Sequence, residues 1–129
     1  MVRIVVAVAL ALHGLIHIIG FLVPWRLLEL RDVPYSTAAA WGRIDLGDAG
    51  ARVLGLGWLL GTLAFLMAAI GVWQGAPWGV SMTAAAAALS LLLCVAGSPA
   101  AVAGLIIDVV VLCTVLVIHL TGWGPTGVG

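Results

Sequence analysis

The stretch that decides the fold is residues 2–23, VRIVVAVALALHGLIHIIGFLV, an almost unbroken apolar run with Arg3 as its one charged residue. A helix rises about 1.5 Å per residue, so a run of this length crosses the roughly 30 Å of hydrocarbon in a bilayer. The run therefore predicts a membrane-spanning helix that ends at Pro24. Cleavage as a signal peptide after Ala9-Leu10-Ala11 is the alternative, but the run is longer than a signal core requires.

Composition extends this interpretation to the whole chain. Of 129 residues, 64% are hydrophobic and 8% charged, and the mean hydropathy is +1.30. Soluble domains carry about 25% charged residues, and a small soluble fold cannot hide this much apolar surface. The net charge is zero and lysine is absent, so there is no basic patch for a nucleic-acid partner. The expected partner of this surface is the lipid bilayer.

Three more apolar runs are long enough to span a membrane, and only short turns separate the last three spans. Short turns join antiparallel neighbours. We predict an all-α fold, an integral membrane four-helix bundle with up-down topology in a single domain 1–129. The expected spans are 2–23, 53–73, 78–96 and 100–121. Trp25, Trp73, Trp78 and Trp123 fall at the expected helix ends, where indole rings favour the headgroup zone.

The segment 24–52 between the first two spans is polar and carries nearly all of the charge. It opens with WRLLELRD (25–32), a short amphipathic stretch that predicts a helix lying on the membrane surface. Such a segment is usually a solvated connection, but its length exceeds what two helices need, so a lid or partner-docking role is the alternative. Four of the five arginines lie in it, so the positive-inside rule places this loop in the cytoplasm and both termini outside.

Small residues recur along the second span in steps of three and four, which places them on one helix face. Such a stripe lets backbones approach closely in lipid. It is expected to pack on a neighbouring helix of the same chain, with a homo-oligomer as the alternative. The stripe consists of Gly57, Gly61, Ala64, Ala68, Gly71 and Gly75.

Polar atoms inside the spans mark the candidate site. His13 and His17 lie one turn apart on one helix face. Counted from the long-loop end, Asp108 in the fourth span is level with His17, and His13 is one turn deeper. A carboxylate at that depth needs a partner, and the two histidines are available. His119 lies near the opposite membrane face and is not expected to join them.

Three interpretations of this cluster stay open. In the first, it only fixes which helices pair. In the second, it performs proton-coupled chemistry on a lipophilic substrate such as a quinone, since an imidazole beside a carboxylate exchanges protons near neutral pH. In the third, His13, His17 and Asp108 hold a metal or haem. No cysteine is expected at that depth to complete a metal site, and His119 is too far from His13 for a bis-histidine haem site. Cys94 and Cys113 are expected to be apolar fillers without a disulfide.

The first span also resembles a known family. Arg3 followed by ALHGLIHIIGF (11–21), with His13-Gly14, a basic position at 17 and Gly20, is similar to the opening helix of the DoxX-like small membrane proteins. His17 stands where that pattern generally has lysine, and the loop 24–52 has no counterpart in it. The resemblance implies four spans, membrane redox chemistry of the kind found in a small subunit of a thiosulfate:quinone oxidoreductase, and oxidative-stress partners.

Together these observations predict a redox-associated protein of a bacterial inner membrane that binds a quinone or similar lipophilic molecule. His17 would exchange the proton with the ligand, and the Asp108 carboxylate would orient the His17 imidazole. His13 would donate a hydrogen bond or relay a second proton. His13 and His17 would be the ligand-binding residues. A transport, permease-accessory or structural oligomeric protein is the rival class, with the same residues as pathway or packing groups; either class allows a partner membrane subunit.

Overall fold

A computed structural model describes residues 1–122 and shows an all-α bundle of four membrane-length helical spans. The first span consists of α1 (Val2–Ile16) and α2 (Ile18–Leu22); the other three are α3 (Gly47–Gln74), α4 (Gly79–Ala96) and α5 (Val102–Thr121). A two-stranded antiparallel hairpin, β1 (Ala38–Ala39) and β2 (Ile44–Asp45), lies between α2 and α3. The predicted four-helix membrane bundle is confirmed.

The first span tightens at His17, between α1 and α2. The amide of His17 bonds to Gly14 O at 3.1 Å, and the amide of Gly20 bonds to His17 O at 3.0 Å. Both are i to i−3 bonds, the tighter spacing of a 3₁₀ turn. Two glycines allow the span to press against α3 here, because a Cβ on Gly14 would lie 2.6 Å from Phe65 Cβ, and one on Gly20 would lie 2.4 Å from the Trp58 ring.

The predicted surface helix over 25–32 is wrong, because these residues form turns, bends and irregular chain. The first span ends in a Schellman motif: Arg26 N–H bonds to Val23 O, and Leu27 N–H bonds to Leu22 O, both at 2.9 Å. Arg26 adopts the left-handed conformation with φ 57°. Pro34 then favours extended chain before it, so the amphipathic stretch has no room for a second helix.

The second span begins earlier than predicted, at Gly47 instead of residue 53, so the polar connection is shorter than 24–52. Polar residues at the start of α3 extend it past the apolar core. The carboxylate of Asp45 accepts a hydrogen bond at 3.0 Å from the amide of Gly47, and Asp48 lies in the first turn. Negative charge at a helix N-terminus is favourable because the exposed amides there are partly positive.

The hairpin packs over the connection between α4 and α5. In its turn, the amide of Ala40 donates to Ala96 O and the amide of Trp41 donates to Ser98 O, each at 2.9 Å. These bonds satisfy carbonyl groups at the end of α4 that no helical partner can reach, and Ala39 is buried. The polar connection is thus an ordered cover on one end of the bundle, a structure that the sequence pattern did not predict.

Close packing joins α1 to α3, α3 to α4, and α4 to α5. The small-residue stripe of α3 faces α4 and the first span, as expected for an internal partner: a Cβ on Gly71 would lie 2.9 Å from Gly79, and Gly61 lies against His17 and Leu93. By contrast, α1 and α5 flank an apolar groove of about 280 Å³. We call it the α1–α5 groove.

The predicted helix-end tryptophans are at helix ends where the structure describes them. Trp78 precedes α4 and Trp73 lies in the last turn of α3, while Trp25 follows α2 and its indole N–H donates to Arg52 O at 3.2 Å. Trp123 lies outside the described residues.

Candidate functional site

A buried polar cluster joins three of the four spans. The structure brings together His13, His17 and Asp108, the three residues that the sequence singled out, and adds Ser90 and Cys94 from α4. Asp108 and Ser90 are 0% exposed. Asp108 is the only buried residue of α5. The predicted meeting of the first and last spans is therefore present.

The direct partner of Asp108 is His13, the histidine that we placed one turn deeper than His17. His13 Nε2 lies 3.0 Å from Asp108 Oδ1. We placed His17 level with Asp108 by counting residues from the expected span ends. Both histidines connect to the carboxylate, His13 directly and His17 through Ser90, so a depth difference of one helical turn is within side-chain reach.

His17 reaches the carboxylate through a serine. Its Nε2 lies 2.6 Å from Ser90 Oγ, and that oxygen lies 2.5 Å from Asp108 Oδ2. The other nitrogen of His17, Nδ1, donates to the carbonyl oxygen of His13 at 2.9 Å. A carbonyl oxygen only accepts hydrogen bonds, so Nδ1 of His17 carries a proton.

Cys94 is more than the apolar filler that we expected. Its thiol donates to Asp108 Oδ2 at 3.5 Å, and its sulfur lies 3.9 Å from Ser90 Oγ. The expectation that no cysteine lies at this depth was wrong, because a helical side chain points back toward the N-terminus of its helix, which in α4 is deeper into the bundle. Cys94 and Cys113 are both free thiols, as expected.

Aromatic rings surround the two imidazoles. The ring of Phe65 packs edge-on against His13 at 4.8 Å between centroids and also contacts His17 at 5.4 Å, and the indole of Trp58 lies 5.1 Å from His17. Phe65 is fully buried. These rings hold the imidazoles in place, and a low-dielectric setting of this kind strengthens hydrogen bonds within the cluster.

The hydrogen bonds of the cluster fix its proton content. One proton is needed in each of the links His13–Asp108, Asp108–Ser90 and Ser90–His17, and a fourth is on Nδ1 of His17. Two neutral imidazoles and one hydroxyl supply three protons around a carboxylate. The fourth proton therefore makes the net charge of the cluster zero, whichever atom of each link holds its proton.

The metal alternative fits these residues less well than the proton network does. Candidate ligand atoms of His13, His17 and Asp108 lie within 4.8 Å of one another. Tetrahedral zinc, at about 2.0 Å from each ligand, holds ligand atoms about 3.3 Å apart. Both nitrogens of His17 already have hydrogen-bond partners in the chain, and no fully buried side-chain nitrogen or oxygen among the described residues lacks one. His119 is exposed on α5 and lies outside the cluster, as expected.

His13 also lines the α1–α5 groove. Its Nε2 is bonded to Asp108, and its Nδ1 has no hydrogen-bond partner within residues 1–122. Since no fully buried side-chain nitrogen or oxygen there is without a partner, Nδ1 must be partly accessible. His13 is the one residue of the cluster that lines the groove, so its Nδ1 is the cluster nitrogen available to a molecule bound there.

Comparisons with known proteins add no identification. No family model matches the sequence, and searches of curated proteins and of solved structures return no match. The fold and the cluster define the chain as a multi-pass α-helical membrane protein with a buried histidine–aspartate–serine network. The DoxX-like resemblance stays a prediction from the first span.

Proposed function

We propose that this protein binds a lipophilic small molecule of the quinone type in the α1–α5 groove, with the polar head of the ligand at His13. One observation carries the proposal: His13, the one ionisable residue that lines the mostly apolar groove, contacts a buried carboxylate through Nε2 and has no hydrogen-bond partner for Nδ1 among the described residues, within the membrane-spanning region. Binding sites for small molecules commonly combine apolar walls with a few polar groups that fix the orientation of the ligand.

The groove is open along its outer side. Val5 and Val110, which line it on α1 and α5, are 67% and 60% exposed. Both lie inside spans, where the surrounding medium is lipid. A ligand dissolved in the bilayer can therefore enter sideways and leave its hydrocarbon tail in the groove or in the lipid.

The cluster supports proton exchange with such a ligand. A carboxylate hydrogen-bonded to one imidazole nitrogen orients the ring and stabilises positive charge on it while the other nitrogen exchanges a proton. In this arrangement His13 contacts the ligand, and Asp108 positions His13. His17 takes the place of a second proton carrier, reached through Ser90, which reverses the roles predicted for the two histidines.

Quinone chemistry also requires electrons, which imidazole, hydroxyl and carboxylate groups do not carry. We therefore propose that the protein is redox-associated and works beside an electron-carrying partner membrane subunit, in line with the DoxX-like resemblance. The proposed location is the inner membrane of a bacterium, with the connection between α2 and α3 in the cytoplasm. Three of the five arginines lie in this connection and a fourth, Arg52, lies near the start of α3 at the same end of the bundle.

Extraction of bound ligand tests the proposal. The protein is purified in lipid nanodiscs from its native membrane, and quinones in an organic extract are quantified per mole of protein. Wild type is compared with His13→Leu and with His119→Leu, the same substitution at a histidine outside the cluster and the groove. We expect bound quinone in wild type and His119→Leu and its loss in His13→Leu.

The same preparation distinguishes the alternatives. A haem Soret band or a stoichiometric metal in wild type, lost in His13→Leu, would replace the quinone proposal with a cofactor site. Equal quinone in all three proteins, or none in wild type, would leave the cluster with a structural or transport role and refute the proposal.

A further inference from the structure

The proton content of the cluster determines which hydrogen-bonding group the groove recognises. All four hydrogen bonds among His13, His17, Ser90 and Asp108 are made when the cluster holds four protons and has no net charge. A fifth proton has one place to go, Nδ1 of His13, and it would leave the cluster with a charge of +1. An unpaired charge in the membrane interior is costly, so the resting cluster leaves this nitrogen unprotonated.

An unprotonated imidazole nitrogen is a hydrogen-bond acceptor only. A neutral imidazole carries one hydrogen. In the four-proton cluster the hydrogen of His13 is on Nε2, which donates to Asp108 Oδ1, so Nδ1 has no hydrogen to donate. A carbonyl oxygen of a ligand is also an acceptor, so it would form no hydrogen bond with this nitrogen and the two lone pairs would repel each other.

The other polar side chains of the groove are acceptors as well. Besides His13, the described lining residues with a side-chain nitrogen or oxygen are Thr83 and Thr114. The hydroxyl of Thr83 donates to Gly79 O and that of Thr114 donates to Val110 O, each at 2.8 Å. Since each hydroxyl has one hydrogen, both can only accept a bond from a ligand.

From this geometry we infer that the groove selects ligands whose polar head is a hydroxyl group, so that the reduced, quinol form binds in preference to the quinone. This inference rests on the proposed function and specifies the chemical state of its ligand. In the bound state the hydroxyl O–H donates to Nδ1 of His13, which gives a partly buried acceptor its missing partner. No bond is broken on binding, and the tail of the ligand lies among valine and isoleucine side chains.

Three matched ligands test the inference on the unmodified protein. They share one six-membered carbon ring and one alkyl tail: the quinol, the quinone, and the quinol dimethyl ether, which keeps the aromatic ring and both oxygens of the quinol without O–H hydrogens. Binding to the protein in nanodiscs is measured by competition against a labelled quinol under anaerobic conditions. We expect the quinol to bind about tenfold or more tightly than the other two, the fold-change for an acceptor left without a donor.

Each outcome has a distinct meaning. Equal or tighter binding of the quinone, or equal binding of the ether, would overturn the hydroxyl selection and leave the proposed function standing. Binding of none of the three would overturn both. In His13→Leu the preference among the ligands is expected to disappear, whereas His119→Leu is expected to keep it; a preference that survives in His13→Leu would also refute the assignment.

Discussion

Replacing Ser90 with alanine tests whether this hydroxyl joins the two histidines of the cluster. The substitution removes the partner of His17 Nε2, 2.6 Å away, and of Asp108 Oδ2, 2.5 Å away. A buried polar group left without a partner costs about 1–3 kcal/mol. The thiol of Cys94 still donates to Oδ2, so we expect a loss of about 2–4 kcal/mol in the free energy of unfolding. An average interhelical hydrogen bond in a membrane protein contributes about 0.6 kcal/mol. A bridging Ser90 and a serine that makes one ordinary interhelical hydrogen bond therefore differ measurably in the stability lost on substitution.

Unfolding by SDS in mixed micelles, followed by circular dichroism, provides the measurement. Ser81→Ala is the matched control, because Ser81 is an exposed serine of the same helix whose hydroxyl donates only to Trp78 O. We expect it to change stability by less than about 0.5 kcal/mol. A double-mutant cycle of Ser90→Ala with His17→Leu should show coupling of about 0.5–3 kcal/mol. Strict additivity, or equal effects at the two serines, would refute the bridging role of Ser90.

Two further predictions follow from the packing and from the polar connection. Gly14→Ala should destabilise the same SDS unfolding transition by about 1–3 kcal/mol, because its Cβ would lie 2.6 Å from Phe65 Cβ, whereas Gly61→Ala, with a nearest contact of 3.3 Å, should cost less; a larger loss at Gly61 would contradict the packing. The hydrogen bond from the Gly47 amide holds the pKa of the Asp45 carboxyl below its ordinary value. The ionised Asp45 carboxylate therefore stabilises the start of α3 fully at a pH above the ordinary pKa, and this stabilisation is lost as the pH falls through the lowered pKa. The Gly47 amide resonance should therefore titrate with a midpoint below that of a free aspartate, and an ordinary midpoint would contradict this.

The spans could be predicted because lipid imposes a single strong constraint on sequence. Four runs of about 20 apolar residues are sufficient to place four helices, and their ends agree with the structure except at α3, which begins at Gly47. That helix extends beyond the apolar run, so hydropathy gave no signal there. The hairpin could not be predicted, because its stability depends on contacts with Ala96 and Ser98 that are distant in sequence.

The site was predictable only as far as an ionisable group needs a partner in lipid. This argument identified Asp108 and the two histidines. Which histidine bonds directly to Asp108 depended on a difference of one helical turn in depth, which residue counting does not resolve. Ser90 was missed, although a serine at mid-span, four residues before Cys94, was a usable signal. Its role depends on the rotation of α4, which the alanine-rich run 84–88 does not specify.

The opening between the first and last helices has a consequence for how binding constants of this protein should be expressed. Whatever enters by that route is supplied from the two-dimensional pool inside the bilayer and never crosses bulk water. Occupancy then follows the mole fraction of the molecule among the lipids, so a dissociation constant quoted per litre of buffer would change with the amount of lipid in the sample while the protein itself stayed the same.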